Sequence, residues 1–147
     1  MINNYNMNKI IRNINISDYS NFIKLIKTNI TFKEFSDFLK STLSEKHIII
    51  VILIEDKIIG TGTLIIEPKL TYNISHMGHI ENILVDEEYR CKGIGKSIIN
   101  YLSNYAKEYG CYRIDLTCEE KLEDFYKNLG FEIKQLGMTM LIKENFK

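Results

Sequence analysis

The sequence predicts an α/β or α+β domain built on one sheet flanked by helices. Three observations predict it. β-branched runs at residues 48–54 and 58–66 read as buried strands, and apolar faces at helical spacing stand before and after them. The segment 79–96 passes from an apolar strand through a glycine-containing loop into a helix. Strands and helices alternating in this way pack as layers around one sheet.

The elements follow in order. Residues 10–16 alternate weakly and are the first candidate strand. Ser17 or Asp18 caps a helix running to Ile26, with Tyr19, Phe22, Ile23 and Ile26 on one face. Thr31 with Glu34 fits a capping box, opening a helix whose face is Phe32, Phe35, Phe38, Leu39 and Leu43. Glu55-Asp56-Lys57 is the turn between the two β-branched strands. The second strand passes through Gly60 and Gly62, which implies a bulge or a close backbone approach. Residues 67–78 read as a polar connection. A strand with Ile80, Ile83, Leu84 and Val85 follows, then the loop, then a helix to about Tyr109 with Gly110 as its C-cap. Residues 111–118 alternate around Ile114 and Leu116 as a strand with Cys118 in the core, and 122–129 form a short helix ended by Gly130. Residues 131–133 and 138–142 are terminal strands. With one proline (Pro68), no Gly/Ser-rich linker and no internal repeat, the 147 residues read as a single domain over 1–147.

Bulk properties exclude several classes. Basic and acidic residues balance at 19 each, so the chain has no global attraction for nucleic acid or an anionic membrane, and any anion site is local. Three cysteines with no CxxC pair argue against a disulfide framework or a zinc site and for a reducing, cytoplasmic compartment. The first residues lack the apolar run of a signal peptide, and the longest apolar stretch, 47–54, is far too short to span a bilayer. His76 and His79 lack a third ligand at sensible spacing, so no metal is expected.

The loop Arg90-Cys91-Lys92-Gly93-Ile94-Gly95-Lys96 carries the chemistry. Two glycines opening a helix let backbone N–H groups point at an anion with the helix dipole behind them. Arg90, Lys92 and Lys96 add positive charge. A Walker A loop requires a glycine where Arg90 stands, and a dinucleotide fingerprint requires one where Ile98 stands. A solvated turn with incidental lysines, or a reactive thiol at Cys91, are the plainer alternatives; a nucleophilic thiol needs an ordered base that the sequence does not show.

The remaining pattern, Arg-x-x-Gly-x-Gly after a strand and an acidic turn, resembles the pyrophosphate loop of the GCN5-related N-acetyltransferase (GNAT) superfamily. Phe125-Tyr126-Lys127-Asn128-Leu129-Gly130-Phe131 is similar to a second block of that superfamily, in the same order along the chain. Within it, blocks at 65–69, 78–83, 110–114 and 137–143 resemble the eukaryotic glucosamine-6-phosphate N-acetyltransferases, the similarity covering roughly residues 58–143. The resemblance implies a GNAT-type fold with a mixed, mostly antiparallel sheet, acetyl-coenzyme A as co-substrate, and a homodimer. It places the coenzyme along Ile83, Leu84 and Val85 and on the loop Arg90, Cys91, Lys92, Gly93, Ile94, Gly95 and Lys96, and against Tyr126, Lys127 and Asn128, with the tyrosine hydroxyl by the coenzyme sulfur. It implies that Glu81 assists removal of the amine proton and that Tyr126 acts as general acid toward the departing thiolate. Lys69, Glu81, Asn82, Tyr112, Arg113, Thr117 and Lys143 fall at substrate-contacting positions. Asn82 and Thr117 stand where the family carries carboxylates, and Leu122 replaces an asparagine, which leaves Glu81 as the candidate base in those blocks. An acetyltransferase for another amine and a non-catalytic coenzyme A-binding module are the alternatives.

Overall fold

The computed structural model describes residues 8–143, which divide between Leu116 and Thr117 into two compact units. The first unit contains one five-stranded sheet: β1 (Ile10–Asn13), β2 (His47–Ile54), β3 (Lys57–Lys69), β4 (Ser75–Val85) and β5 (Cys111–Asp115). Neighbours in the sheet are neighbours in the chain. β1 to β4 pair antiparallel, and β5 lies parallel to β4, giving the expected mixed, mostly antiparallel sheet.

β2 is buried from Ile48 to Ile54. A strand covered on both faces reads as an unbroken apolar run rather than an alternating one. Ile49, Val51 and Leu53 form one cluster with Ile14, Phe35, Leu39 and Ile58, roofed by Tyr19 and Phe22. The roofing residues come from α1 (Tyr19–Ile26), while Phe35 and Leu39 of the cluster come from α2 (Phe32–Thr42). The other face receives α4 (Ile94–Tyr109), whose Ile94, Ile98, Ile99, Leu102 and Ala106 are all buried. Gly62 makes that contact possible: a Cβ there would stand 2.5 Å from Ile98 Cγ2. The close approach expected at the β3 glycines is therefore present, and it is α4 that approaches.

Helix ends mostly follow the sequence. Thr31 and Glu34 form the reciprocal capping box, Glu34 Oε2 accepting from Thr31 N–H at 2.7 Å. Gly110 ends α4 in the left-handed region at φ 94°. At α1 the cap differs: Asn15 caps a 3-10 turn, Ile16–Asp18, that precedes the helix. Asp18 makes no cap bond to α1 because its carboxylate is held by Arg12 of β1 at 2.7 Å through both oxygens, and by Asn15 N–H at 2.8 Å.

Other expectations are corrected. Residues 67–78 are mostly sheet, since β3 runs on to Lys69 and β4 begins at Ser75, joined by a single left-handed turn, Thr71–Ile74 (α3). Glu67, Lys69, Ser75 and His76 break up the apolar residues there, which hides the strands from a search for apolar runs. β5 ends at Asp115, so Cys118 lies outside the strand and is exposed. Residues 131–133 and 138–142 form no strand among the described residues. Within the second unit they find no ladder to join, and Met138, Met140 and Ile142 stay 96%, 82% and 82% exposed.

Candidate active site

β4 organises the first unit's site. Its register against β3 slips so that Asn82 and Ile83 together oppose the single residue Gly62. This is a β-bulge, and Asn82 supplies the positive φ of 53° that turns the strand. Asparagine tolerates the left-handed region better than most residues, because its short polar side chain bonds locally. On the other side of β4 the parallel pairing with β5 ends at His79↔Asp115. From the bulge to Val85, β4 is therefore laddered to β3 alone. Asp86 N–H bonds to β3, so Leu84 two residues earlier also turns its backbone groups to β3, and those of Ile83 and Val85 face an open edge that a ligand with amide groups can extend.

The strand leads into the anion loop. Asp86 N–H donates to Ile59 C=O at 2.8 Å, and the Asp86 carboxylate caps the 3-10 turn Glu87–Tyr89. Cys91 (φ 58°) and Gly93 (φ 80°) both take left-handed conformations, and Gly93 begins α4 with no side-chain cap. The first N–H groups of a 16-residue helix are thus left for an anion. A Cβ at Gly93 would meet nothing within 4 Å, so the approach is open. Ile94 is buried against Gly60, which fixes the helix start and leaves only its backbone for a ligand. The acidic turn before the loop carries its own cations: Lys57 bonds Asp86 at 3.0 Å and Glu88 at 3.4 Å, and Lys27 bonds Glu87 at 3.3 Å. Lys57 holds the Asp86 carboxyl below its usual range. Arg90 turns back to Val85 C=O, with Nε at 3.3 Å, and Lys92 lies over the Tyr89 ring. Sequence reasoning missed Lys27 and Lys57, which come from distant elements.

The sheet face opposite α4 carries a second constellation. Glu67 and Lys69, His79 and Glu81, and Arg113 and Asp115 each stand two residues apart, which puts each pair on one face of its strand. Lys69 Nζ lies 2.5 Å from Glu67 Oε1, and His79 Nε2 lies 2.8 Å from Glu67 Oε2. The Lys69 bond, then the His79 bond, hold the Glu67 carboxyl below the usual range. On β5, Arg113 bonds Asp115 at 3.0 Å and rests its Nε on Met77 Sδ. Tyr112 stacks on Tyr72 of α3 at 4.7 Å between ring centroids. Glu81 and Asn82 are exposed. Of the predicted substrate residues, Lys69 and Arg113 thus each carry a carboxylate partner that sequence reasoning did not single out. The signal was the period of two; what it lacked was the register that aligns the strands.

The model of the Acetyltransferase (GNAT) family matches residues 10–131. The chain is similar to glucosamine 6-phosphate N-acetyltransferase of Arabidopsis thaliana, 34% identical over 139 residues that cover 88% of this chain and 93% of the relative. It is also similar to the enzyme of that name from Candida albicans, 28% identical over 90% of this chain and 93% of the relative. The crystal structure of the Arabidopsis thaliana enzyme superposes with a TM-score of 0.88 at 32% identity, covering 92% of this chain and 99% of that one.

The chain belongs to the GNAT acetyltransferase family.

It is an acetyl-coenzyme A-dependent N-acetyltransferase. The first unit fits that donor. An uncapped helix start behind two left-handed residues suits a pyrophosphate, and the open β4 edge suits the amides of a pantetheine arm. Among the described residues no group of three His, Cys, Asp or Glu side chains is placed to hold a metal ion, and no helix is long and apolar enough to cross a membrane. A cavity of about 300 Å³ elsewhere in this unit, lined by Leu43, Glu45, His47 and Tyr105 among others, includes none of the predicted site residues.

The second unit of this GNAT chain contributes α5 (Glu123–Lys127). Tyr126 is buried there, its ring edge-on to Phe125 and Phe131. Burial, aided by Cys118, pushes its phenol up, so it stays protonated at neutral pH. Lys127 is paired with Glu123 one turn earlier, and Asn128 N–H closes the helix on Asp124 C=O at 3.0 Å. Thr117 and Lys143 are exposed in irregular backbone.

Proposed function

We propose that the chain transfers the acetyl group of acetyl-coenzyme A to the amine of glucosamine 6-phosphate, giving N-acetylglucosamine 6-phosphate for amino-sugar nucleotide (UDP-GlcNAc) synthesis in the cytoplasm. The observation that carries this is the 34% identity to an enzyme of that activity across 93% of its length. Acetyl-coenzyme A supplies an activated thioester when bound. The loop 90–96 takes the pyrophosphate through backbone N–H groups and the charges of Lys92 and Lys96. The free edge at Ile83 and Val85 pairs with the pantetheine amides, and an N–H near the bulge stabilises developing charge on the acetyl oxygen. Glu81 attracts the ammonium and positions it for loss of its proton. Holding amine and thioester in line supplies much of the acceleration, with no acyl-enzyme. Tyr126 donates its proton to the departing thiolate. Lys69, Arg113, Asn82, Tyr112, Thr117 and Lys143 contact the sugar phosphate.

A homodimer belongs to this reading. Leu136, Met138 and Met140 are exposed in the single chain, and a second copy would cover them. Light scattering should give twice the monomer mass.

Thiol release from acetyl-coenzyme A tests the activity with a panel of amines. Release with glucosamine 6-phosphate is expected. Turnover with only a polyamine, lysine or protein N-terminus would overturn the acceptor. Coenzyme binding without turnover of any amine would make the chain a sensor. Tyr126→Phe should lower kcat by about a hundredfold, the low end of the range of a general acid, while coenzyme affinity is kept.

A further inference from the structure

We propose that His79 is the proton acceptor for the attacking amine, oriented by Glu67 as a carboxylate–imidazole dyad. The inference rests on the N-acetyltransferase reading but not on which amine is acetylated.

The hydrogen bond sets the tautomer. Glu67 is ionised, kept so by Lys69 at 2.5 Å, and an ionised carboxylate only accepts. His79 Nε2, 2.8 Å from Glu67 Oε2, therefore carries the hydrogen. In the neutral ring that leaves the lone pair on Nδ1. A carboxylate fixing one imidazole nitrogen so that the other works as a base is the arrangement of a catalytic triad's His and Asp.

Position supports the role. His79 precedes Glu81 by two residues on the same strand face, about 7 Å along β4. An ammonium drawn to Glu81 can thus reach the ring. His79 is also the last β4 residue paired with β5, at the mouth of the open edge that suits the thioester arm. The charged groups around it are Glu67 and Lys69 from β3, Asp115 and Arg113 from β5, and Glu81 on its own strand; α4 covers the opposite face. Arg113 is paired with Asp115, and Lys69 shares the Glu67 carboxylate with the ring, Lys69 on Oε1 and His79 on Oε2.

The step balances. The ammonium gives one proton to His79 Nδ1, and the freed lone pair forms the C–N bond. The C–S bond breaks with its electron pair on sulfur, and the second proton of the nitrogen, lost as the amide forms, balances the one that the thiolate takes up. The imidazolium is held opposite Glu67 until it releases its proton to water.

Two measurements test this. In the free protein, imidazole 15N shifts should report an Nε2–H tautomer for His79, and Glu67→Leu should mix the tautomers; an Nδ1–H ring in the wild type would overturn the proposal. In turnover, His79→Gln should lower kcat about a hundredfold and remove one proton from the acid-side slope of log(kcat/KM). Glu81→Gln should raise KM for the amine and keep that slope. Unchanged slope and near-wild-type kcat in His79→Gln, or loss of the slope in Glu81→Gln instead, would overturn it. If glucosamine 6-phosphate is not acetylated, the same profiles run on whichever amine is. Failure of the acceptor assignment is thereby separated from failure of the dyad.

Discussion

Replacing Gly62 by alanine adds one methyl at the tightest contact between β3 and α4. The added Cβ would lie 2.5 Å from Ile98 Cγ2, 2.7 Å from Ile83 Cδ1 and 3.1 Å from Leu102 Cδ1. The two nearest neighbours differ in how they give way. Ile83 Cδ1 is the end of a flexible side chain and can rotate aside. Ile98 Cγ2 is fixed to Cβ of a β-branched residue in a helix, where one χ1 rotamer dominates. Relief therefore needs α4 to move away from the sheet. Overpacking of this kind costs about 1–3 kcal/mol. Stiffening of the unfolded chain returns roughly 0.4–1 kcal/mol, since Gly62 is not in the left-handed region. The net loss is about 1–2 kcal/mol, a fall in Tm of roughly 3–8 °C for a chain of this size. Thermal unfolding followed by circular dichroism measures it. In an Ile98→Ala background the methyl meets a void, and the cost of Gly62→Ala should drop below about 0.5 kcal/mol. An unchanged Tm in the single variant, or an equal cost in both backgrounds, would refute the assignment of Ile98 as the obstacle.

Asp18 gives a pH test. Burial raises its carboxyl, but the bonds from Arg12 and Asn15 outweigh that and hold it below the usual range. Its unfolded value is about 3.9, so its contribution is complete above that pH and is lost as pH falls through the folded value. Urea unfolding from pH 5 down to 3 should show Asp18→Asn with a flatter profile than wild type, after a loss of about 1–3 kcal/mol at pH 7; parallel profiles would contradict this. Thr31→Ala should cost about 1 kcal/mol in the same assay, because one α2 N–H loses its cap. Gly93→Ala has open space around its methyl but a φ of 80°, so it should cost about 1–2 kcal/mol through the backbone alone, and weaken coenzyme binding in calorimetry as the loop relaxes.

Periodicity carried most of the fold. β2 and β3 announced themselves by β-branched runs, α2 by Thr31 and Glu34, and the anion loop by Gly93 and Gly95. What escaped was set by the partners of a segment rather than by the segment. The bulge at Asn82 has no glycine to mark it and exists because two residues must oppose Gly62. Glu67 and His79 lie 12 positions apart and meet only through the β3–β4 register. Lys57 becomes the counter-ion of Asp86 through tertiary approach. Residues 138–142 have a strand's alternation, yet alternation states only which side would be apolar; it does not supply an edge to pair with.

Sheet order and chain order coincide, and that bears on how the chain comes off the ribosome. β2 and β3 are joined by a two-residue turn, Glu55 and Asp56, and β4 follows after a turn of five. Each strand after β2 adds to an edge that already exists, with no later segment to be threaded between earlier ones. The long closure is the first one, β1 onto β2 across two helices. Loop-closure entropy makes such distant pairing slow, whereas local pairing is fast. The three-strand meander should accordingly form early during synthesis, and the parallel β5, delivered by α4, completes the sheet only when residue 115 has emerged.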